Sequence, residues 1–151
     1  MTSINLKSYY WLYSKVFLLT TIAVSFISAV SFIVGSILAF IVPLIAALST
    51  AQKFVNDQLR APEITEKKNL VWVSLAITLS TSLALTWASA LILFPHVEWK
   101  DVFSFFSSEG VVVAIMLIVL VVGFLINYFM LNWAYGSFAA TTASDLKKLN
   151  E

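Results

Sequence analysis

Long apolar runs and short charged segments alternate along this chain. Residues 16–52, 69–97 and 110–144 contain no Asp, Glu, Lys or Arg. The segment Lys53–Lys68 separates the first two runs and carries seven of the seventeen charged residues. A helix that crosses a membrane needs about 20 predominantly apolar residues, and each run exceeds that length. The pattern therefore predicts membrane helices joined by a charged loop.

The first run is too long for a single membrane helix. Residues 16–52 would extend about 55 Å as one helix, whereas the hydrocarbon core is about 30 Å thick. We therefore expect two spans joined by a turn at Gly35-Ser36, because glycine tolerates the backbone angles that a turn needs. Pro43 then lies inside the second span, where the missing backbone donor favours a kink.

The predicted fold class is an all-α membrane protein with four transmembrane helices in one integral membrane domain, residues 1–151. The expected spans are at about 11–33, 37–57, 69–94 and 110–135, with loops at 58–68 and 95–109. The loop at 95–109 mixes charged and aromatic residues, so we expect a short amphipathic segment along the membrane interface. The aromatic cluster at residues 9–13 is expected at headgroup level near the first span.

The basic residues orient these spans. With four spans, eight of the nine Lys and Arg residues lie on one side of the membrane, and only Lys100 lies on the other. With three spans the split is three against six. Because basic residues concentrate in cytoplasmic loops, the sequence favours four spans with both termini and the 58–68 loop cytoplasmic and the 95–109 loop periplasmic.

Composition argues against several kinds of chemistry. The chain is 60% hydrophobic and 11% charged, whereas soluble domains have about 25% charged residues. It has no cysteine and one histidine, His96, which a minor interpretation makes a pH sensor. The charge-free runs place no Asp, Glu, Lys or Arg at membrane depth, where proton-coupled transport or intramembrane proteolysis requires an ionisable group. We therefore expect no catalytic residue, no metal site and no cofactor.

Polar side chains within the apolar runs are the candidate packing or pore-lining residues. They are Ser74, Thr78, Ser82, Thr86, Asn127 and Asn132. The four hydroxyl residues follow i, i+4 spacing and share one helix face, which favours helix–helix contact over a pore lining. The two amides are costly in lipid unless they are paired, so both should face protein or a water-filled cavity.

The charged loop contains a turn followed by the start of a helix. Its motif consists of Arg60, Ala61, Pro62 and Glu63. Thr65 is the expected N-cap of the next helix, because a threonine hydroxyl accepts hydrogen bonds from the first free backbone donors. Lys67 and Lys68 are expected near anionic headgroups of the membrane.

The same loop resembles that of a known family. Gln-Leu-Arg-Ala-Pro-Glu-Ile-Thr-Glu-Lys-Lys at 58–68 lies between a Phe-rich second span and a third span that begins near Trp72. This arrangement resembles the AciT-like (Acinetobacter trimer) family of small four-span inner-membrane proteins, in which Thr usually stands at the position of Glu63. The resemblance implies a homotrimer in the bacterial inner membrane that supports the envelope permeability barrier. It assigns no catalytic residues.

The expected function is therefore a non-enzymatic envelope protein that contributes to intrinsic antibiotic tolerance. Its expected partners are further copies of itself and membrane lipids, with no nucleic acid. The alternative is a passive channel for ions or small solutes, lined by the hydroxyls of the third span and the two asparagines. A holin-like permeabilising protein is a third interpretation, which the mildly charged C-terminal tail makes less favoured.

Overall fold

The computed structural model describes residues 5–93, 96 and 98–149. All regular structure within these residues is helical, so the predicted all-α class is confirmed. The helices are α1 (Lys7–Val30), α2 (Phe32–Gln58), α3 (Ile64–Leu93), α4 (Trp99–Ser108), α5 (Gly110–Trp133) and α6 (Ala139–Leu149). One π-helical turn, Ala134–Phe138, joins α5 to α6. Residues 94 and 95, where the sequence places the end of the third span, lie outside the described residues.

Within the described part of the chain, three helical segments are long and apolar enough to cross a membrane. They are Lys7–Ser28, Ile64–Ile92 and Gly110–Leu149. The third segment is 40 residues long because α5, the π-helical turn and α6 follow one another without a break. Three such helices indicate a membrane-embedded protein, as the charge-free runs predict.

A single residue separates α1 from α2. Ser31 has an extended backbone (φ −146°, ψ 105°), and its N–H donates to the Ile27 carbonyl at 2.9 Å. The expected turn at Gly35-Ser36 is wrong, since both residues lie within α2. A negative φ of this size suits any residue type, so the break needs no glycine. Pro43 lies inside α2, as predicted, and the helix continues past it.

α1 and α2 pack antiparallel. Tyr9, near the start of α1, contacts Phe54, near the end of α2, with ring centroids 5.1 Å apart. α2 ends at Gln58, and Leu59 caps it. The backbone of Leu59 is left-handed (φ 52°, ψ 26°), and its N–H donates to the Val55 carbonyl at 2.8 Å. This conformation closes the helix and directs the chain into the loop that precedes α3.

α3 begins two residues earlier than a Thr65 cap would allow. Its first residue is Ile64, and the N–H of Lys67 donates to the Glu63 carbonyl at 2.8 Å. Glu63 is therefore the N-cap, and the expectation that Thr65 caps the helix is wrong. The helix begins at this earlier position because the Glu66 side chain accepts a hydrogen bond from the Glu63 N–H at 2.9 Å.

The chain divides into two compact units. The first comprises residues 1–78 and 127–151, and the second comprises residues 79–126. Every buried side chain among those that the structure describes belongs to the first unit. Small residues of α2 allow this close packing: Ala46, Ala47, Thr50 and Ala51 are each fully buried. The first unit therefore holds the described core.

Candidate functional site

Two pairs of hydroxyls lie in the core of the first unit. Ser74 Oγ is 2.9 Å from the hydroxyl of Tyr135, and Thr78 Oγ1 is 2.6 Å from the hydroxyl of Tyr13. All four side chains are buried. Because Ser74 and Thr78 are four residues apart, one face of α3 meets both tyrosines. These contacts tie α3 to α1 on one side and to the π-helical turn on the other.

The four hydroxyl residues that the sequence groups on α3 are not in one environment. Ser74 and Thr78 belong to the first unit and are buried, whereas Ser82 and Thr86 belong to the second unit and are exposed. The first two make the helix–helix contacts expected of small hydroxyl residues. Neither of the exposed pair has a hydrogen bond to another helix within the described residues.

Sequence reasoning missed the buried tyrosines, two of which lie in α1. Tyr9 and Tyr13 were assigned to the membrane interface with their neighbours, yet they are 3% and 0% exposed, whereas Trp11 is 63% exposed. Their spacing, with Phe17 as the third member, is i, i+4, i+8, which places them on one face of a helix. That spacing is the signal that identifies them as packing residues.

The loop motif forms a polar network around Arg60. Its two terminal nitrogens donate to the two carboxylate oxygens of Glu66, each at 2.8 Å, and Nη1 also donates to the Ala61 carbonyl at 3.0 Å. Glu63 Oε1 lies 3.7 Å from Arg60 Nη2. The hydrogen bonds to Glu66 raise the pKa of the Arg60 guanidinium, so it stays charged. Pro62 is half-buried within this loop.

The same network reaches the ends of α1 and α2. The guanidinium of Arg60 lies 5.7 Å from the centre of the Phe54 ring. The Tyr9 hydroxyl donates to Asp57 at 3.2 Å and accepts from Gln58 at 3.2 Å. The loop motif thus fastens the start of α3 to the open end of the α1–α2 pair. Its role in this structure is to hold helices together.

A cavity of about 230 Å³ lies between the start of α3 and the end of α5. It is lined by Ile64, Lys67, Lys68, Val71, Trp72, Tyr128 and Asn132. The rings of Trp72 and Tyr128 form one wall, with their centroids 6.1 Å apart. Asn132, one of the two asparagines predicted to face protein or a cavity, lies here, while Asn127 is half-buried one and a half turns earlier on α5. We refer to this space as the α3–α5 cavity.

The π-helical turn positions one lysine of the cavity. A Cβ added to Gly136 would lie 2.9 Å from Lys67 Nζ and 3.4 Å from its Cε, so the lysine side chain passes directly over the glycine. The turn is widened by one residue, as the bond from the Ala139 N–H to the Ala134 carbonyl shows. Lys67 is half-buried in this position, whereas Lys68 is exposed.

No group of three metal-binding side chains occurs among the residues that the structure describes. Comparisons with models of known families, with curated proteins and with solved structures give no match to this chain. Its buried hydroxyl pairs and its loop network are structural contacts. In the α3–α5 cavity, charged, polar and apolar side chains surround an open space.

Proposed function

We propose that this chain is a non-enzymatic protein of the bacterial inner membrane, that it assembles as a homotrimer, and that it supports the permeability barrier of the cell envelope. The single observation that carries the membrane part of the proposal is the apolar surface of the second unit. Within residues 79–126, none of the described side chains is buried, and most of them are exposed.

The exposed surface is large and consists of aliphatic side chains. Leu83, Ile92, Val111 and Val119 are 70%, 77%, 74% and 65% exposed, respectively. A continuous apolar surface of this kind requires lipid or another protein chain to cover it. Membrane helices associate through close packing and interhelical hydrogen bonds, and copies of the same chain supply a matching surface. This supports a protein that acts through its assembly in the bilayer.

We further propose four spans with both termini cytoplasmic. α2 has 27 residues and is about 40 Å long. It is therefore long enough to be a further span, in addition to the three apolar segments described above. Its antiparallel packing against α1 is the arrangement that two successive spans adopt. The segregation of eight of nine basic residues supports the orientation, and α4, which carries Lys100, then lies at the periplasmic face.

The trimer and the barrier role draw their support from the loop at 58–68, which resembles the AciT-like family. In this structure, the Arg60–Glu66 pair within the loop connects α2 to α3. A residue set that fixes the cytoplasmic ends of three helices suits a protein whose task is to keep a defined shape in the membrane. The role as a barrier protein needs no turnover and no ionisable group at membrane depth.

The proposal is tested by deleting the gene in its own host and measuring susceptibility to large and to hydrophobic antibiotics. We expect the deletion strain to become more susceptible, and complementation with the wild-type chain to restore tolerance. The contribution should persist after a protonophore collapses the proton gradient, because a barrier does not depend on that gradient. An effect that disappears with the gradient, or saturable drug export by proteoliposomes, would contradict the proposal.

The exposure of Ser82 and Thr86 favours a passive channel as the second candidate. Their hydroxyls share one face of α3, and in an oligomer that face is able to line a polar path. Planar-bilayer recordings of the purified protein distinguish the two functions. Single-channel steps that change in Ser82→Ala and Thr86→Val variants would favour the channel, and a silent bilayer favours the barrier protein.

A further inference from the structure

We propose that the α3–α5 cavity is a binding site for the phosphate group of an anionic membrane lipid. Lys67, Lys68 and Asn132 contact the phosphate in this proposal, while the aromatic and aliphatic walls contact the lipid backbone. The site is independent of the oligomeric state and of the barrier role proposed above. It requires only that α3 enters a membrane near its first turns.

The charge balance of the cavity supports an anionic ligand. Lys53, Arg60, Lys100 and Lys148 each form an ion pair with a carboxylate. Lys67 and Lys68 have no carboxylate within 4.0 Å in the part of the chain that the structure describes. Lys7, Lys15 and Lys147 also lack such a carboxylate among the described residues, but Lys67 and Lys68 line the same cavity, where one anion would offset the repulsion between their two charges.

The geometry holds one of these charges in place. Lys67 is half-buried, and its side chain crosses the π-helical turn at Gly136, where any larger residue would meet the ammonium group. Asn132 lies four residues before Gly136 and contributes an amide, which is able to donate two hydrogen bonds. A positioned lysine beside an amide donor is an arrangement that binds phosphate oxygens.

The apolar walls favour a lipid over a soluble phosphate. Ile64, Val71, Trp72 and Tyr128 line the same cavity, and an inorganic phosphate has no group to contact them. The glycerol and first methylene groups of a phospholipid are able to contact these walls. Trp72 is 50% exposed near the start of the apolar segment Ile64–Ile92, where tryptophan rings lie at headgroup depth. Lipid phosphates are found at that depth.

The test uses the full-length protein in detergent, titrated with phosphatidylglycerol and, separately, with zwitterionic phosphatidylcholine, and native mass spectrometry counts the lipids bound. The site variant is K67Q/K68Q. The control variant is K147Q/K148Q, which removes two adjacent lysines from α6 and leaves the cavity intact. We expect the site variant to lose about tenfold or more in affinity for phosphatidylglycerol, while the control changes less than about twofold.

A second variant keeps the charge and changes only the position of one lysine. Gly136→Ala introduces a Cβ where the Lys67 ammonium lies, so the ammonium has to move. We expect weaker phosphatidylglycerol binding, with an elution volume and a helical content like those of the wild type. Because this variant retains both lysines, it also tests the site should the double variant fold poorly.

Four outcomes would overturn the proposal. One is equal loss of phosphatidylglycerol binding in the site and control variants, which would indicate a general charge effect. Another is unchanged binding in both K67Q/K68Q and Gly136→Ala. The third is displacement of the lipid by millimolar inorganic phosphate, which would show that the site recognises a soluble anion. Equal affinity for phosphatidylcholine would likewise exclude selection of an anionic lipid.

Discussion

The hydroxyl of Tyr135 lies 2.9 Å from Ser74 Oγ, and both side chains are buried. This contact joins the π-helical turn to the middle of α3, and Thr50 of α2 lies beside the same tyrosine. Three helical elements thus meet at one phenol. A buried hydroxyl that loses its partner is costly, so the pair is a sensitive point for stability.

Removing either hydroxyl of this pair should destabilise the fold. We expect Tyr135→Phe and Ser74→Ala each to lower the free energy of unfolding, with a coupling between them of about 0.6 kcal/mol, the average for interhelical hydrogen bonds in membranes, and at most about 1.7 kcal/mol. The measurement is a double-mutant cycle of unfolding in mixed micelles. Ser25→Ala is the control, because its hydroxyl is exposed and bonds to its own helix. Strictly additive effects would show that the two hydroxyls do not interact.

Enlarging a small residue of α6 should destabilise the fold only where that residue is buried. Ala139 is fully buried and Ala140, the next residue of α6, is exposed. We expect Ala139→Leu to lower the free energy of unfolding by about 1–3 kcal/mol through overpacking. Ala140→Leu introduces the same side chain one position later and should have little effect. Thermal unfolding of the two variants side by side tests this, and equal melting temperatures would contradict it.

The Arg60–Glu66 pair should depend on the shape of arginine as well as its charge. Two parallel hydrogen bonds need a planar fork, which lysine lacks. We therefore expect Arg60→Lys to destabilise by about 1 kcal/mol, since the arginine side chain is partly exposed. Lys53→Gln breaks the more exposed pair with Asp57 and should cost less, about 0.3–0.5 kcal/mol. If Arg60→Lys matches wild type in unfolding experiments, the bidentate contact adds no stability.

Leu59 occupies a left-handed backbone conformation that a leucine adopts at a cost. We expect Leu59→Asn to be neutral or stabilising, since asparagine tolerates this region, and Leu59→Val to destabilise by roughly 1 kcal/mol or more, since branching at Cβ increases the clash. Leu59 is 70% exposed, so lost packing contributes little to either change. The comparison is the melting temperature of the two variants. A valine variant as stable as the asparagine variant would refute the conformational argument.

The proposed orientation can be tested with single-cysteine variants, because the chain contains no cysteine. Thr65→Cys, Ser104→Cys and Ser144→Cys each place one thiol at an exposed position. In intact cells whose outer membrane is permeable to the reagent, a maleimide that cannot cross the inner membrane should label only the Ser104→Cys variant. Labelling of all three after lysis is the control. A Thr65→Cys variant labelled in intact cells would contradict the proposed topology, in which this loop is cytoplasmic.

The helices followed from the sequence because their cause is local. Runs without charge have no stable place except in lipid or a core, and a chain in lipid must satisfy its own backbone hydrogen bonds. The helix limits were less predictable. Ser31 breaks the helix without any special residue type, and Glu63 replaces Thr65 as the N-cap because Glu66 supplies the hydrogen bond from further along.

The candidate site depended on contacts that no local pattern contains. The i, i+4 spacing placed Ser74 and Ser82 on one face, but the structure buries the first and exposes the second. Which part of a helix has a neighbour is a property of the tertiary fold. The partnership of Lys67 with Gly136 joins residues 69 positions apart, so a single sequence gives no signal for it.

The uneven distribution of buried side chains has a practical consequence for handling this protein. Residues 1–78 and 127–151 contain a core of side chains that are buried within the chain itself. None of the described side chains of residues 79–126 is buried. Harsh, short-chain detergents should therefore loosen the second stretch first, at the amides of α5 before those of α2. Hydrogen exchange compared between such a detergent and a lipid nanodisc would then differ in residues 79–126 and agree in the first unit.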